Sequence, residues 1–145
     1  MAILVAAITV KLSSQEESTT GTQDSTYQSA GEAGRLTEGM VGITASNYDE
    51  KVTNSKGIVV VDYFAPTCSY CIKYTPVFSA VFEQYKDRAV FGKYNVPTGS
   101  SKIADLKISG TPTTIIFKDG KEAARIGGYV EEAELKAKLD EVLSQ

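Results

Sequence analysis

The chain has 145 residues, a length that suits one domain with a substantial hydrophobic core. Its net charge is −3 and it has no long basic run, so nucleic-acid binding has no electrostatic support. Two cysteines and no histidine cannot supply the four ligands of a tetrahedral zinc site, so a metal-bound form would need thiolates shared between two chains.

The N-terminal part divides into an apolar and a polar stretch. Residues 1–12 are mainly apolar but far shorter than a bilayer span, which takes about 20 residues. They fit a remnant of an export signal or anchor, although no Lys or Arg precedes them and no Ala-x-Ala site follows. The alternatives are a strand or sticky tail on a cytosolic protein, or a start-site artefact. Residues 13–39, rich in Ser, Thr, Gly, Glu and Gln, predict a flexible, disordered linker.

The folded domain is predicted to cover residues 40–145. Residues 40–44 predict a short first strand, and Ser46 is the predicted N-cap of a helix over residues 46–54. Residues 58–65 are an almost continuous apolar run, as expected of a strand that is covered on both faces. The exception within this run is Asp62.

Two cysteines with two residues between them follow this strand, at the start of a segment with helical spacing. A thiol at a helix start meets the positive end of the helix dipole and free backbone N–H groups, which favour the thiolate. The spacing lets Cys68 and Cys71 close a disulfide with little backbone movement, so it suits a reversible dithiol/disulfide couple. A structural staple is the alternative, and it would stabilise only weakly because the closed loop is small.

The positions of the three reactive side chains suggest their roles. Cys68 is nearer the helix start and is predicted to be the attacking thiol, whereas Cys71 is predicted to be the buried resolving thiol. Burial is expected to raise the pKa of Asp62 and to make it a proton carrier for Cys71. The alternative for Asp62 is a polar residue at the end of a strand.

The remaining pattern predicts a mixed α/β domain. The cysteine helix continues to about residue 87 and contains Pro76, which should kink it. Residues 89–96 predict a strand, residues 101–107 a short helix, and Asp119-Gly120 a hairpin turn that leads into a return strand and a final helix over residues 131–143. The order β-α-β-α-β-α-β-β-α predicts a mixed central sheet with helices on both faces.

Four separated motifs over about residues 40–145 resemble the thioredoxin family. They are the strand carboxylate Asp62, the pair Cys68 and Cys71, the helix proline Pro76, and the segment Gly110-Thr111-Pro112-Thr113. The resemblance implies the thioredoxin fold and a cis bond before Pro112, for which a simple turn proline is the alternative.

The resemblance also implies further site residues. Lys93 matches a family lysine near the strand carboxylate, with an exposed strand lysine as the alternative. The backbone of Thr111 would bind an extended substrate segment beside Pro112, and Gly128 would keep the substrate groove shallow. Thr67, Ser69 and Tyr70 depart from the family pattern, and they are expected to border the substrate and to tune the reduction potential.

The expected function is a thiol-disulfide oxidoreductase that reduces protein disulfides, because nothing cationic adjoins Cys68 in the sequence. Its expected partners are protein disulfide substrates and an upstream electron-donor reductase, with no cofactor, no nucleic acid and a monomeric state. The alternatives are a thioredoxin-fold binding module with regulatory cysteines and an oxidising or isomerising relative. An extracytoplasmic or membrane-tethered location is favoured over a cytoplasmic one.

Overall fold

The computed structural model describes residues 30–98 and 100–145. The predicted apolar segment 1–12 and the predicted linker up to residue 29 lie outside these described residues. Within them, strands and α-helices follow the predicted order, except that no α-helix lies between the first two strands. They are β1 (Val41–Ile43), β2 (Ile58–Phe64), α1 (Ser69–Tyr85), β3 (Ala89–Asn95), α2 (Ser100–Leu106), β4 (Thr113–Lys118), β5 (Lys121–Gly127) and α3 (Glu132–Leu143).

The strands form one mixed sheet in the order β1-β3-β2-β4-β5. β1, β3 and β2 are parallel, whereas β4 pairs antiparallel with both β2 and β5. The predicted turn joins β4 to β5, where Asp119 and Gly120 both have positive φ, as a two-residue hairpin requires. Every residue of the central strand β2 is buried, which agrees with its apolar run. The predicted α/β architecture is confirmed.

Helices cover both faces of the sheet because β2 alternates its side chains between two cores. Ile58 and Val60 belong to the core beneath α1 and α3, whereas Val59 and Val61 point to the other face, where α2 packs. No helix among the described residues has the length and apolar character needed to cross a membrane.

The helix predicted over residues 46–54 is replaced by a turn and a short π-helix, Asp49–Thr53. The reason is Asn47, whose side-chain oxygen accepts the backbone N–H of Thr44 at 2.8 Å and whose amide donates to the carbonyl of Gly42 at 3.0 Å. These bonds close a turn after β1 in place of the first helical turn. The predicted N-cap, Ser46, instead pairs its hydroxyl with that of Thr44.

Residues 30–34, here called the docked segment, pack against the domain. Ala30 and Ala33 are fully buried in a cluster with Phe64 and Cys71. Gly34 is also buried, and a Cβ there would clash with the Ala30 Cβ and would lie 2.8 Å from the Phe64 ring. The structure therefore differs from the predicted linker at its C-terminal end, where small residues fit a tight contact that a flexible tether does not need.

Candidate active site

The two cysteines lie at the junction between β2 and α1. After β2 ends, the Cys68 N–H donates to the carbonyl of Ala65 at 3.1 Å, and this turn makes Cys68 the N-cap of α1. Cys68 and Cys71 form a disulfide, with their Cα atoms 5.2 Å apart. The backbone N–H of Cys71 donates to the Cys68 sulfur at 3.2 Å, a contact that stabilises negative charge on this sulfur when the bond is reduced.

The two sulfurs differ in their access to solvent. Cys71 is completely buried, whereas Cys68 is partly exposed. Thr67, Ser69 and Tyr70 are all exposed beside Cys68, and Tyr70 presents 62% of its surface to solvent. A partner can therefore approach Cys68 first, across a surface that contains a large exposed aromatic ring.

The loop before β4 closes over the same sulfur. The Thr111 carbonyl oxygen lies 3.5 Å from the Cys68 sulfur, and the Thr111–Pro112 bond is cis, as the resemblance implies. Gly128 is tied to this loop because its N–H donates to the Pro112 carbonyl at 2.8 Å. The positive φ of Gly128 and the open space around its Cα suit a residue without a side chain. Thr111, Pro112 and Gly128 thus lie together on one side of Cys68.

Asp62 and Lys93 form a buried ion pair beneath the cysteine helix. The register places Asp62 of β2 opposite Lys93 of β3, on the sheet face that carries α1. The Lys93 Nζ lies 3.3 Å from one Asp62 oxygen, and both side chains are fully buried. Burial raises the pKa of Asp62 to about 6, against the lowering effect of the Lys93 charge. Burial likewise lowers the pKa of Lys93, against the raising effect of Asp62.

Two groups that sequence reasoning missed complete this buried network. The Lys93 ammonium donates to the Ala33 carbonyl at 3.0 Å and to the Thr75 hydroxyl at 3.1 Å. The Thr75 hydroxyl also reaches the carbonyl of Cys71, one helical turn earlier, at 3.1 Å. The available signal for Thr75 was a hydroxyl residue on the apolar face of α1, whereas no sequence pattern marked the backbone carbonyl of Ala33.

The structure thus brings the predicted residues together in two layers. The outer layer surrounds Cys68, and the inner layer joins Asp62 and Lys93 to the helix turn that carries Cys71. Within the described residues, no group of three or more cysteine or acidic side chains is placed to hold a metal ion. The arrangement offers an accessible sulfur, a second sulfur within bonding reach and a buried carboxyl that titrates near neutral pH.

Comparison with known proteins agrees with this geometry. The family model for thioredoxin matches residues 39–141. The thioredoxin of Pseudomonas aeruginosa is 30% identical over 105 residues, which cover 72% of this chain and 97% of that protein. Thioredoxin 1 of Synechococcus elongatus is 32% identical over 101 residues, which cover 70% of this chain and 94% of that protein.

A domain of a larger protein is also similar. Protein disulfide-isomerase 2-3 of Arabidopsis thaliana is 38% identical over 82 residues, which cover 57% of this chain but only 19% of that protein. The similarity to the thioredoxins covers nearly the whole length of those proteins, and the matched residues 39–141 of this chain include the strand, the cysteine pair and the loop before β4. Because the family match includes both cysteines, Asp62, Lys93 and the loop before β4, the chain belongs to the thioredoxin family and is a thiol-disulfide oxidoreductase.

Proposed function

We propose that this protein reduces protein disulfides, with Cys68 as the attacking thiol and Cys71 as the resolving thiol. The observation that carries the proposal is the contrast between the two sulfurs. Cys68 is accessible and receives the Cys71 N–H, whereas Cys71 is completely buried. An accessible, stabilised thiolate at Cys68 suits attack on a large substrate, and a buried thiol at Cys71 suits release of that substrate.

The reaction requires two sulfur exchanges. The Cys68 thiolate attacks one sulfur of the substrate disulfide, forms a mixed disulfide and releases the other substrate sulfur as a thiolate. Asp62 takes the proton of Cys71, and the Cys71 thiolate then attacks the Cys68 sulfur. The second substrate sulfur leaves as a thiolate. The substrate gains two electrons, and Cys68 and Cys71 lose two as their disulfide forms.

The outer layer supplies a binding surface for this reaction. The Thr111 backbone beside the Cys68 sulfur would pair with an extended substrate segment in the manner of an added strand. Exposed Tyr70 would pack on the substrate, with Thr67 and Ser69 at its border, and Gly128 leaves the opposite side of the groove free of a side chain.

Lys93 has an indirect part in the proposed reaction. It would modulate the charge of Asp62, since the Lys93 ammonium is the nearest opposite charge to this buried carboxyl.

The two cysteine variants test this proposal directly. With a disulfide-bonded protein substrate, Cys71→Ser is expected to accumulate a mixed disulfide through Cys68, because the second exchange is lost. Cys68→Ser is the matched control and should form no such adduct. The assigned roles would be contradicted if both variants accumulated the mixed disulfide equally. They would also be contradicted if neither variant accumulated it although the wild type reduced the same substrate. Partner binding that survives Cys68→Ser, without turnover by the wild type, would favour a binding module.

The direction of the reaction is part of the proposal. The residues next to Cys68 are Thr67 and Ser69, so no adjacent side chain adds positive charge to the N–H contact that stabilises the thiolate. This favours the reducing end of the family range. The similarity to protein disulfide-isomerase 2-3 of Arabidopsis thaliana supports a second candidate function, the donation or rearrangement of disulfides.

The proposed cycle also needs an upstream reductase to return the disulfide to the dithiol. We further propose a monomer at an extracytoplasmic or membrane-tethered site. Fractionation of cells that express the full chain tests this location, and sizing of the purified protein tests the monomer. Recovery with the cytoplasmic fraction would overturn the proposed location.

A further inference from the structure

Three oxygen atoms lie within 3.3 Å of the Lys93 ammonium, which has three protons to donate. The Ala33 carbonyl lies nearest at 3.0 Å, the Thr75 hydroxyl follows at 3.1 Å, and the Asp62 oxygen is farthest at 3.3 Å. In the part of the chain that the structure describes, no protein group donates a well-formed hydrogen bond to either oxygen of Asp62. The ammonium is therefore bonded more closely to two neutral oxygens than to its counter-charge.

This arrangement is unusual for a buried ion pair. Such a pair normally recovers its desolvation cost through good geometry and added hydrogen bonds. Here the Lys93 ammonium donates to the docked segment, through the Ala33 carbonyl, and to α1, through the Thr75 hydroxyl. Ala33 belongs to the docked segment, which packs directly against Phe64 and Cys71. The segment and the redox centre are thus parts of one buried unit.

We propose that Thr75 and the backbone carbonyl of Ala33 are positioning groups that hold the Lys93 ammonium short of full pairing with Asp62, which leaves this carboxyl free to carry the proton of Cys71. This inference rests on the proposed function for its catalytic meaning. Its structural content, a competition for the protons of one ammonium, is independent of that function.

The groups around the pair favour this interpretation. On α1, the Tyr74 hydroxyl is bonded to Thr114 of β4 at 2.8 Å, and burial together with the Asp62 charge raises the pKa of Tyr74. Tyr74 therefore stays neutral near pH 7. Glu32 of the docked segment and Arg35, which follows this segment, are exposed and paired with each other. Lys93 is thus the charge that acts most strongly on Asp62.

The test uses the full chain with its disulfide intact, so that the cysteines do not titrate. The pKa of the Asp62 carboxyl is followed by carbon NMR in the wild type, Thr75→Val and Thr75→Ser. Valine removes the hydroxyl and frees one ammonium proton for Asp62, so the pKa should fall by about one unit. Serine keeps the hydroxyl and should keep the wild-type value. An unchanged or higher value in Thr75→Val would overturn the proposal.

A second variant covers the case in which Thr75→Val does not fold. Gly34→Ala places a Cβ against Ala30 and the Phe64 ring, so the docked segment must shift, and we expect this shift to weaken the contact between the Ala33 carbonyl and Lys93. The Asp62 pKa should again fall. Arg35→Ala is the control in the same region, because it breaks only an exposed pair. Equal values in Gly34→Ala and Arg35→Ala would contradict the proposed competition.

The rate of disulfide reduction against pH separates this inference from the proposed function. In Thr75→Val, the acid limb of this rate profile should move to lower pH because the pKa of the Asp62 carboxyl falls. A merely structural defect would instead lower the rate at every pH. A wild type that reduces no protein disulfide would refute the proposed function, and the titration would still decide the inference. If the wild type were active and all variants had the same pH–rate profile as the wild type, the inference would be refuted and the proposed function would stand.

Discussion

The buried carboxyl of Asp62 should make the protein less stable as the pH rises from 4 to 7. Its pKa is about 6 in the folded chain, against the ordinary value of 3.8 expected when the chain is unfolded. Between these two values the folded state holds a proton that the unfolded state has lost, so the free energy of unfolding falls with increasing pH. At about 1.4 kcal/mol per pKa unit, the total loss amounts to about 3 kcal/mol.

The assay is denaturant unfolding of the disulfide-bonded protein at several pH values. We compare the change in unfolding free energy between pH 4 and pH 7, because this difference removes the constant cost of a substitution. Asp62→Asn should abolish the loss, which amounts to about 2 kcal/mol between pH 4 and pH 7. Asp105→Asn is the control, since it removes an exposed carboxyl from α2 and should retain the wild-type slope.

Two outcomes would refute this reasoning. If the wild type were as stable at pH 7 as at pH 4, the Asp62 carboxyl would be ionised over this range in the folded chain as well as in the unfolded chain. Burial would then not dominate its titration. If Asp62→Asn kept the wild-type slope, the pH dependence would have another origin. Either result would also remove the carboxyl as a proton carrier near neutral pH.

Two packing predictions are checked by the same unfolding measurement at one pH. Gly92→Ala should lower the free energy of unfolding by about 1–3 kcal/mol, because its Cβ would meet the Ile43 side chain at 2.5 Å. The control is Gly110→Ala, whose Cβ meets nothing within 4 Å and which should lower it less. Equal losses in the two variants would contradict the prediction. Tyr48→Phe and Tyr63→Phe each remove one member of a buried hydroxyl pair at 2.8 Å and should each lower the free energy of unfolding by about 1–3 kcal/mol, with the double variant below their sum; full additivity would contradict this coupling.

The architecture was predictable because it depends on local patterns that agree with one another. The apolar run of β2, the helical spacing after Cys68 and the turn at Asp119 and Gly120 each determine one element, and tertiary packing reinforces each of them. The prediction for residues 46–54 failed where a side chain decided the backbone. Asn47 closes a turn through two backbone contacts, and the same residue type occurs in helices and turns alike.

The outer layer of the site was predictable because short motifs carry it. Cys68, Cys71 and Pro112 lie in segments whose spacing is itself informative, so the sequence located them together. The inner layer depends on contacts between distant parts of the chain. Lys93 meets Ala33, 60 residues away, through a backbone carbonyl that every non-proline residue also carries. No side-chain pattern identifies such an acceptor, and composition alone assigned Ala33 to a linker.

The equilibrium reduction potential of the Cys68–Cys71 couple decides whether this protein works as a disulfide reductase. The free thiols are followed in a graded thiol buffer against a known reference couple. We expect a value near that of thioredoxin, about −270 mV, because no cationic side chain adjoins Cys68 in the sequence, which leaves the backbone N–H contact and the helix dipole to stabilise its thiolate. A value of about −180 mV or higher would contradict a reductase and would show that the protein donates or rearranges disulfides.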